Sequence, residues 1–499
     1  MERPDDAAGL QSAADAAPEP PIVELRGVSC CTPDGMRILD GIDLSVRRGE
    51  CVLLCGRSGM GKTTVTKCIN GLVPSFEPSL VCTGRVRVCG LDPAECEMYE
   101  LARRVGSVFQ NPKSQFFNLT SSDELAFGLE AAGVDADAIE HRIRETVNAL
   151  SAERLLGRSV TKMSGGEKQS LVFASVDVMD PDVYVLDEPT ANLDARAIRF
   201  LHDQIAAILA RGKTVIVAEH RLYFMADLID RAVYIDNGRV VYEYSPAELT
   251  ALSKQDRERL GLRATDLAEA MEVGCPSAPA CETPPAPCGL SLRQFTCSRK
   301  KSNVFEPVNL DVRRGSVVGI MGANGTGKTT LLRAMAGLER STSGEIRFDG
   351  APLDSKARRH TCSLVMQDVN HQLFSDSVRN ECEFSAGSDV GRIDEVLDAL
   401  GLARLGDRHP MALSGGQKQR LAVACALLAG REVLLLDEPT SGLDFGHMVE
   451  VSTLVKKLAA RNICVVVVTH DREFLGRSCD CVYELKAGGY DRCETRRGR

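Results

Sequence analysis

Short runs of consecutive apolar residues recur along the chain, each broken off by a glycine-rich or acidic motif. Cys51 to Cys55, Val183 to Leu186 and Val215 to Ala218 have counterparts in Val317 to Met321, Val433 to Leu436 and Val465 to Val468. Alternating with helical patterns, these runs predict strands of an α/β fold built around a largely parallel sheet. Each run ends where a motif begins, which suits a fold whose ligands bind beyond the carboxyl ends of its strands. The pattern fades after Tyr244, gives way to a charged segment with one or two helices expected through Asp256 to Met271, and is interrupted by the five prolines of Cys275 to Cys288. Such a proline-rich stretch makes a semi-rigid spacer. The expected organisation is a disordered acidic tail over 1–21, a first domain over 22–245, a linker over 246–289, a second domain over 290–487 and a basic tail over 488–499.

Length and charge narrow the class. A chain of 499 residues is too long for one ordinary core and suits two domains. Apolar runs such as Leu421 to Gly430 fall short of the ~18 residues a membrane span requires. The N-terminus is acidic and rich in Ala and Pro, unlike a secretory signal, so a cytoplasmic protein is expected. A net charge of −9 argues against broad binding to nucleic acid. Arg492, Arg496, Arg497 and Arg499 read as a solvated tail, with a lipid-headgroup contact as the alternative. The 19 cysteines include no CxxC pair, and many, such as Cys51, Cys55 and Cys464, occupy places for small apolar residues; buried reduced thiols are expected.

The chemistry lies in motifs that occur twice, in the same order. Gly56-Arg57-Ser58-Gly59-Met60-Gly61-Lys62-Thr63, with Thr64 after it, and Gly322-Ala323-Asn324-Gly325-Thr326-Gly327-Lys328-Thr329, with Thr330 after it, both fit G-x-x-x-x-G-K-[ST] directly after an apolar run. The glycines let backbone N–H groups curl around phosphate oxygens at a helix N-terminus. Lys62 and Lys328 are expected to reach the β- and γ-phosphates, and Thr63 and Thr329 to ligate Mg²⁺. Asp187-Glu188 and Asp437-Glu438 end later apolar runs; the aspartate can hold the metal shell and the glutamate can deprotonate an attacking water. Between these motifs, Ser164-Gly165-Gly166-Glu167 and Ser414-Gly415-Gly416-Gln417 each open a helix, a second anion-binding device.

These residues resemble the phosphate loop, acidic pair and signature loop of ATP-binding-cassette (ABC) ATPases. Gln110 and Gln367 match that family's Q-loop glutamine, His220 and His470 its switch histidine, and Asn192-Leu193-Asp194 and Gly442-Leu443-Asp444 its D-loop. The resemblance implies an α/β fold of two tandem P-loop NTPase domains, each a mainly parallel sheet core with a helical signature subdomain. It implies ATP and Mg²⁺ as cofactors, with Thr63, Gln110, Asp187, Thr329, Gln367 and Asp437 around the metal and Glu188, Glu438, His220 and His470 as catalytic residues. It also implies two head-to-tail sites, the first completed by Ser414 to Gln417 and the second by Ser164 to Glu167. Two departures stand out. Thr32 and Arg299 occupy the place where the family stacks adenine on an aromatic ring, so weaker or altered adenine binding is expected at the first site. Glu167 puts a carboxylate where Gln417 is neutral; it either weakens the second site or is a neutral variant.

After the Q-loop glutamines, Gln110 to Phe117 and Gln367 to Phe374 share Q-x-x-x-x-Q-[FL]-F, and Glu124 and Phe127 correspond to Glu381 and Phe384. Phe117 and Phe374 read either as core of the helical subdomain or as partner contacts. The stretches resemble the energy-coupling factor ATPases of vitamin and metal-ion importers. That resemblance implies a peripheral subunit on the cytoplasmic face of the membrane, working with a transmembrane T component and a substrate-binding S component. A fused sugar-importer ATPase and a soluble ribosome-acting tandem ATPase are the alternatives.

Overall fold

The computed structural model describes residues 20–266 apart from 192, residue 268, and residues 289–492 apart from 300–301, 388–389 and 487–488. The acidic tail before residue 20, Asn192, the proline-rich spacer and the tail beyond Arg492 lie outside the described residues.

Each half is organised around a six-stranded sheet. In the first the strand order is Val105–Val108, Val183–Asp187, Thr214–Ala218, Cys51–Cys55, Arg231–Asp236 and Arg239–Tyr244; in the second it is Cys362–Val365, Val433–Asp437, Cys464–Val468, Val317–Met321, Cys481–Lys486 and Gly489–Arg492. All neighbours pair in parallel except the last strand of each sheet, which is antiparallel. Cys51–Cys55 and Cys464–Val468 are buried at every position, as strands covered by helices on both faces must be. That double burial is why their sequences show unbroken apolar runs.

A second, antiparallel layer was not expected from the apolar runs. Val23–Cys31 lies between Arg37–Val46 and Val81–Val88, and Gly289–Arg299 between Val308–Arg313 and Thr342–Phe348. One face of these strands is solvated, so buried and exposed positions alternate and no apolar run forms. The pairing overturns the expectation that every thiol is reduced: Cys30 sits opposite Cys82 in register, and the two form a disulfide. Among the described residues the other cysteines are free, and burial pushes the Cys51 and Cys55 thiols up to about 12, which leaves them protonated and inert.

A helical lobe stands on each sheet. In the first half it comprises Ser121–Ala131, Ala136–Ala149 and Gly165–Asp177, and its apolar residues join those of the sheet in one core. In the second half Val378–Ala386, Ile393–Ala399 and Gly415–Leu428 enclose a core of their own. After Tyr244 the chain forms the helices Pro246–Ala251 and Lys254–Leu260, capped by Ser245 and Ser253, and the second stops at Gly261 in a left-handed conformation. Of the one or two helices expected through Asp256 to Met271, the first therefore begins earlier, at Lys254, and ends at Leu260; residues 267 and 269–271 lie outside the described residues. Leu249 and Leu262 are buried in the first half's core.

Candidate active sites at the junction of the two halves

Both phosphate loops are fixed by glycines that no other residue could replace. A Cβ on Gly56 would lie 2.2 Å from the Ile235 carbonyl oxygen, and one on Gly322 would lie 2.3 Å from that of Leu485. Within each loop the lysine folds back. Lys62 Nζ donates to the carbonyls of Gly56 and Arg57 at 2.9 and 2.8 Å, and Lys328 Nζ to those of Gly322 and Ala323 at 2.7 and 2.9 Å. Burial lowers the pKa of both lysines, opposed chiefly by Glu188 and Glu438 respectively.

The acidic pairs face these loops. Thr63 Oγ1 donates to Asp187 Oδ1 at 3.2 Å, and Thr329 hydrogen-bonds Asp437 in the same way. Glu188 and Glu438 adopt positive φ, 45° and 48°, and their N–H groups donate to Ala218 and Val468 at 2.8 Å. A left-handed glutamate is strained backbone that persists only where its surroundings impose it. It lifts the carboxylate off the strand end toward the loop. Burial pushes Glu188 and Glu438 up to about 7, and burial with the adjacent Glu188 pushes Asp187 up to about 6. Gln110 Nε2 donates to Glu188 Oε2 at 2.7 Å. His220 Nε2 lies 3.3 Å from Ser58 Oγ and 3.4 Å from Glu188 Oε1; His470 Nε2 lies 3.0 Å from Asn324 Oδ1 and 3.5 Å from Glu438 Oε1. Burial, helped by the loop lysines, lowers both imidazoles, so each is neutral.

Residues from the opposite half reach both sites. The Ser58 N–H donates to Asp444 Oδ2 at 2.6 Å, and the Asn324 N–H to Asp194 Oδ2 at 2.7 Å. Each aspartate also caps its own helix, accepting from His447 and Ala197. A Cβ on Gly442 would stand 3.0 Å from Gln110 Nε2, so the D-loop of the second half closes directly over the first site. The signature serines do not make the corresponding reach: among the described residues, the Ser164 and Ser414 hydroxyls bond only within their own capping boxes, with Glu167 and Gln417.

The two departures resolve locally. Burial raises the Glu167 carboxyl, but hydrogen bonds from the Ser164 N–H and from Arg158, 2.5 Å away, outweigh it and hold the group below the usual range. Its charge is therefore engaged within its own half, by Arg158 and Ser164. Arg299 is ion-paired with Glu339 at 3.0 Å, and Thr32 is held in its own turn by Met36 and Asp34. The exposed apolar side chain of that hairpin is Met36.

Four buried residues escaped the sequence reading. Glu219 accepts from the N–H groups of Thr190, His220 and Arg221 and from the Thr190 hydroxyl, bracing the first switch. The second half uses Asp471, which accepts from Thr440 Oγ1 at 2.8 Å and from Arg263 Nη1 at 2.7 Å. Arg263 comes from the segment after the first domain and also donates to the Leu443 carbonyl. Arg221 is the fourth, buried beside Glu219. Polar residues flanking each switch histidine were the available signal for Glu219, Arg221 and Asp471; nothing in the sequence singled out Arg263.

The Q-x-x-x-x-Q-[FL]-F…E pattern is a brace. Gln115 accepts from the Phe109 N–H and donates to the Ser107 carbonyl, and Gln372 does the same with Met366 and Leu364. The buried carboxylates of Glu124 and Glu381 take the N–H groups of Phe117 and Asn118, and of Phe374 and Ser375. The phenylalanines are thereby turned outward: Phe117 is 74% exposed and stacks on Phe127, while Phe374 and Phe384 are 82% and 84% exposed. The core reading of Phe117 and Phe374 is thus excluded.

The ABC transporter family profile matches residues 39–191 and 305–441. This chain belongs to the ABC transporter ATP-binding family. A provisionally named ABC transporter ATP-binding protein of Treponema denticola is 40% identical over 90% of this chain and 91% of its own length. A provisionally named HMP/thiamine import ATP-binding protein of Bacillus subtilis, YkoD, is 31% identical over 91% and 88%. Among solved structures, an RNase-L inhibitor superposes with a TM-score of 0.59 at 23% identity, covering 93% of this chain and 88% of that one, a likeness of fold. ABC ATPases bind ATP with Mg²⁺ and hydrolyse it. In this ABC ATPase the paired hydroxyl and carboxylate oxygens of Thr63 and Asp187, and of Thr329 and Asp437, form donor sets that fit a hard cation such as Mg²⁺. No helix among the described residues is long and apolar enough to cross a membrane.

Proposed function

We propose that this chain is the ATP-binding subunit of an importer of the energy-coupling factor type, hydrolysing ATP at two sites shared between its halves to drive uptake of a vitamin or metal ion. The observation that carries the reading is the pair of outward-turned aromatic patches, Phe117 with Phe127 and Phe374 with Phe384, each held out by a glutamine and a glutamate beside a Q-loop. Exposed apolar patches at matching places in both halves suit a protein partner with two apolar docking segments, as a transmembrane T component would supply. An S component would then read the cargo, and the ATPase would sit peripherally on the cytoplasmic face.

In each site the loop lysine releases its carbonyl partners and turns to the β- and γ-phosphates. Thr63 and Asp187, or Thr329 and Asp437, would hold Mg²⁺, which would supply neutralisation of phosphate charge; Gln110 and Gln367 would complete the metal's surroundings. Glu188 or Glu438 takes the proton of the attacking water, and the neutral imidazole of His220 or His470 positions it. Asp444 and Asp194 bind the opposite phosphate loop, so closure of the clamp and assembly of the site are one event. Contact of Ser414 to Gln417 and Ser164 to Glu167 with nucleotide belongs to the closed, ATP-loaded state.

Capture of the tagged full chain from detergent-solubilised membranes tests the partner. A polytopic membrane protein should be retained stoichiometrically, and Phe117→Asp with Phe374→Asp should release it while leaving ATP binding in place. Retention of ribosomal proteins instead, or equal retention by the double variant, would overturn the importer reading.

A further inference from the structure

A cavity of about 170 Å³ lies between the halves, walled by His470 and by a set of arginines that the hydrolytic reading does not use. Arg199 and Arg221 come from the first half, Arg263 from the segment after it, and Arg472 from the second half; Asp471 and Glu473 supply the carboxylates. Four guanidinium groups thus face two carboxylates. Asp471 is already taken by Arg263 and by the Thr440 hydroxyl, and Arg263 is further bound to the Leu443 carbonyl. Arg221, buried, donates at 3.3 Å to the neutral Thr190 carbonyl. Among the lining residues arginines thus outnumber carboxylates, in a space large enough for several waters and so for a hydrated tetrahedral anion.

The cavity adjoins one site. His470, part of its wall, reaches the Asn324 side chain of the second phosphate loop at 3.0 Å and Glu438 at 3.5 Å. Arg221 is close enough that its charge opposes the burial that raises Glu438 and adds to the burial that lowers His470. The repeat does not reproduce the arrangement: the counterparts of Arg199, Arg221 and Arg472 are Val449, Asp471 and Leu222.

We infer that this cavity binds a phosphate-sized oxyanion, and that the anion it receives is the inorganic phosphate cleaved at the second site. The inference rests on reading that site as hydrolytic. There the water oxygen bonds to the γ-phosphorus as the bridging P–O bond breaks, the water proton passes to Glu438, and ADP and phosphate remain. Neutral His470 lets the dianion pass without trapping it, and the arginines draw it away from ADP. The second site thereby has a phosphate exit whose arginines the repeat does not reproduce beside the first.

The test uses the full chain with its phosphate loops filled by a non-hydrolysable ATP analogue, dialysed to equilibrium against radiolabelled inorganic phosphate, with analogue occupancy measured in parallel. The wild type should retain one phosphate per chain. Arg199→Glu, at an exposed position where folding is not at stake, and Arg472→Glu should weaken retention at least tenfold, whereas Arg199→Lys should keep it. Full analogue occupancy without phosphate retention, or equal retention by the reversed-charge variants, overturns the cavity; absent analogue occupancy overturns the reading of the ATP sites and the inference with it. Single-turnover experiments then separate product from free phosphate. Phosphate should appear in solution after cleavage, with a delay that Arg199→Glu shortens, and binding without any delay would overturn the assignment of the cleaved phosphate as its source.

Discussion

Glu188→Gln and Glu438→Gln, combined in one chain, should lower ATP turnover about 10²- to 10⁴-fold, the range a positioned general base contributes, while nucleotide binding persists. Each glutamine keeps the shape of the side chain and its left-handed backbone position but cannot accept the water proton. The same carboxylates set the pH dependence. Burial raises them to about 7 from an ordinary value of 4.5, so at pH 6 most are protonated and unable to act as bases, and at pH 8 most are ionised. Wild-type turnover should accordingly fall as pH drops through about 7, and the residual turnover of the double variant should lack that limb. Undiminished turnover in the double variant, or a wild-type limb near the ordinary value, would remove these residues from the chemistry.

Arg263→Leu should have the largest effect on stability. The guanidinium is buried and joins the segment after the first domain to Asp471 and to the Leu443 carbonyl of the second half's D-loop. Its loss leaves the buried Asp471 carboxylate with neutral donors, the Thr440 hydroxyl and the Phe474 N–H, in place of its ion-pair partner, and removing one partner of a buried ion pair costs about 3–5 kcal/mol. The unfolding midpoint should drop by about 2–4 °C for each kcal/mol in a domain of this size. Pairing the change with Asp471→Asn should recover part of the loss, because the stranded charge disappears with its partner. Strictly additive effects of the two substitutions would show that the pair is not coupled.

Much of the chemistry could be read from the chain because it resides in contiguous motifs. The loops from Gly56 and Gly322, the acidic pairs and the switch histidines converge where the apolar runs end, as strand geometry requires. What escaped depended on pairings distant in sequence or on backbone angle. The left-handed φ of Glu188 and Glu438 has no residue signature, since glutamate is not a residue that favours it. Cys30 and Cys82 meet only through antiparallel register, and half-solvated strands conceal themselves among alternating residues. Arg263 followed a fading pattern, so it read as linker although it is among the most buried charges of the chain. The residues after the Q-loops were legible as a repeated pattern, but which of them brace and which face outward was settled by the hydrogen bonds of Gln115, Gln372, Glu124 and Glu381.

Whether each site is shared between the halves is decided most directly by vanadate trapping with a photoreactive ATP analogue, followed by proteolysis that separates the peptide bearing Lys62 from the one bearing Lys328. Asp444→Ala removes the contact to Ser58. It should therefore reduce trapped label on the Lys62 peptide several-fold while leaving label on the Lys328 peptide largely intact, and Asp194→Ala should do the reverse. Loss confined to the half that carries each substitution would contradict a head-to-tail clamp.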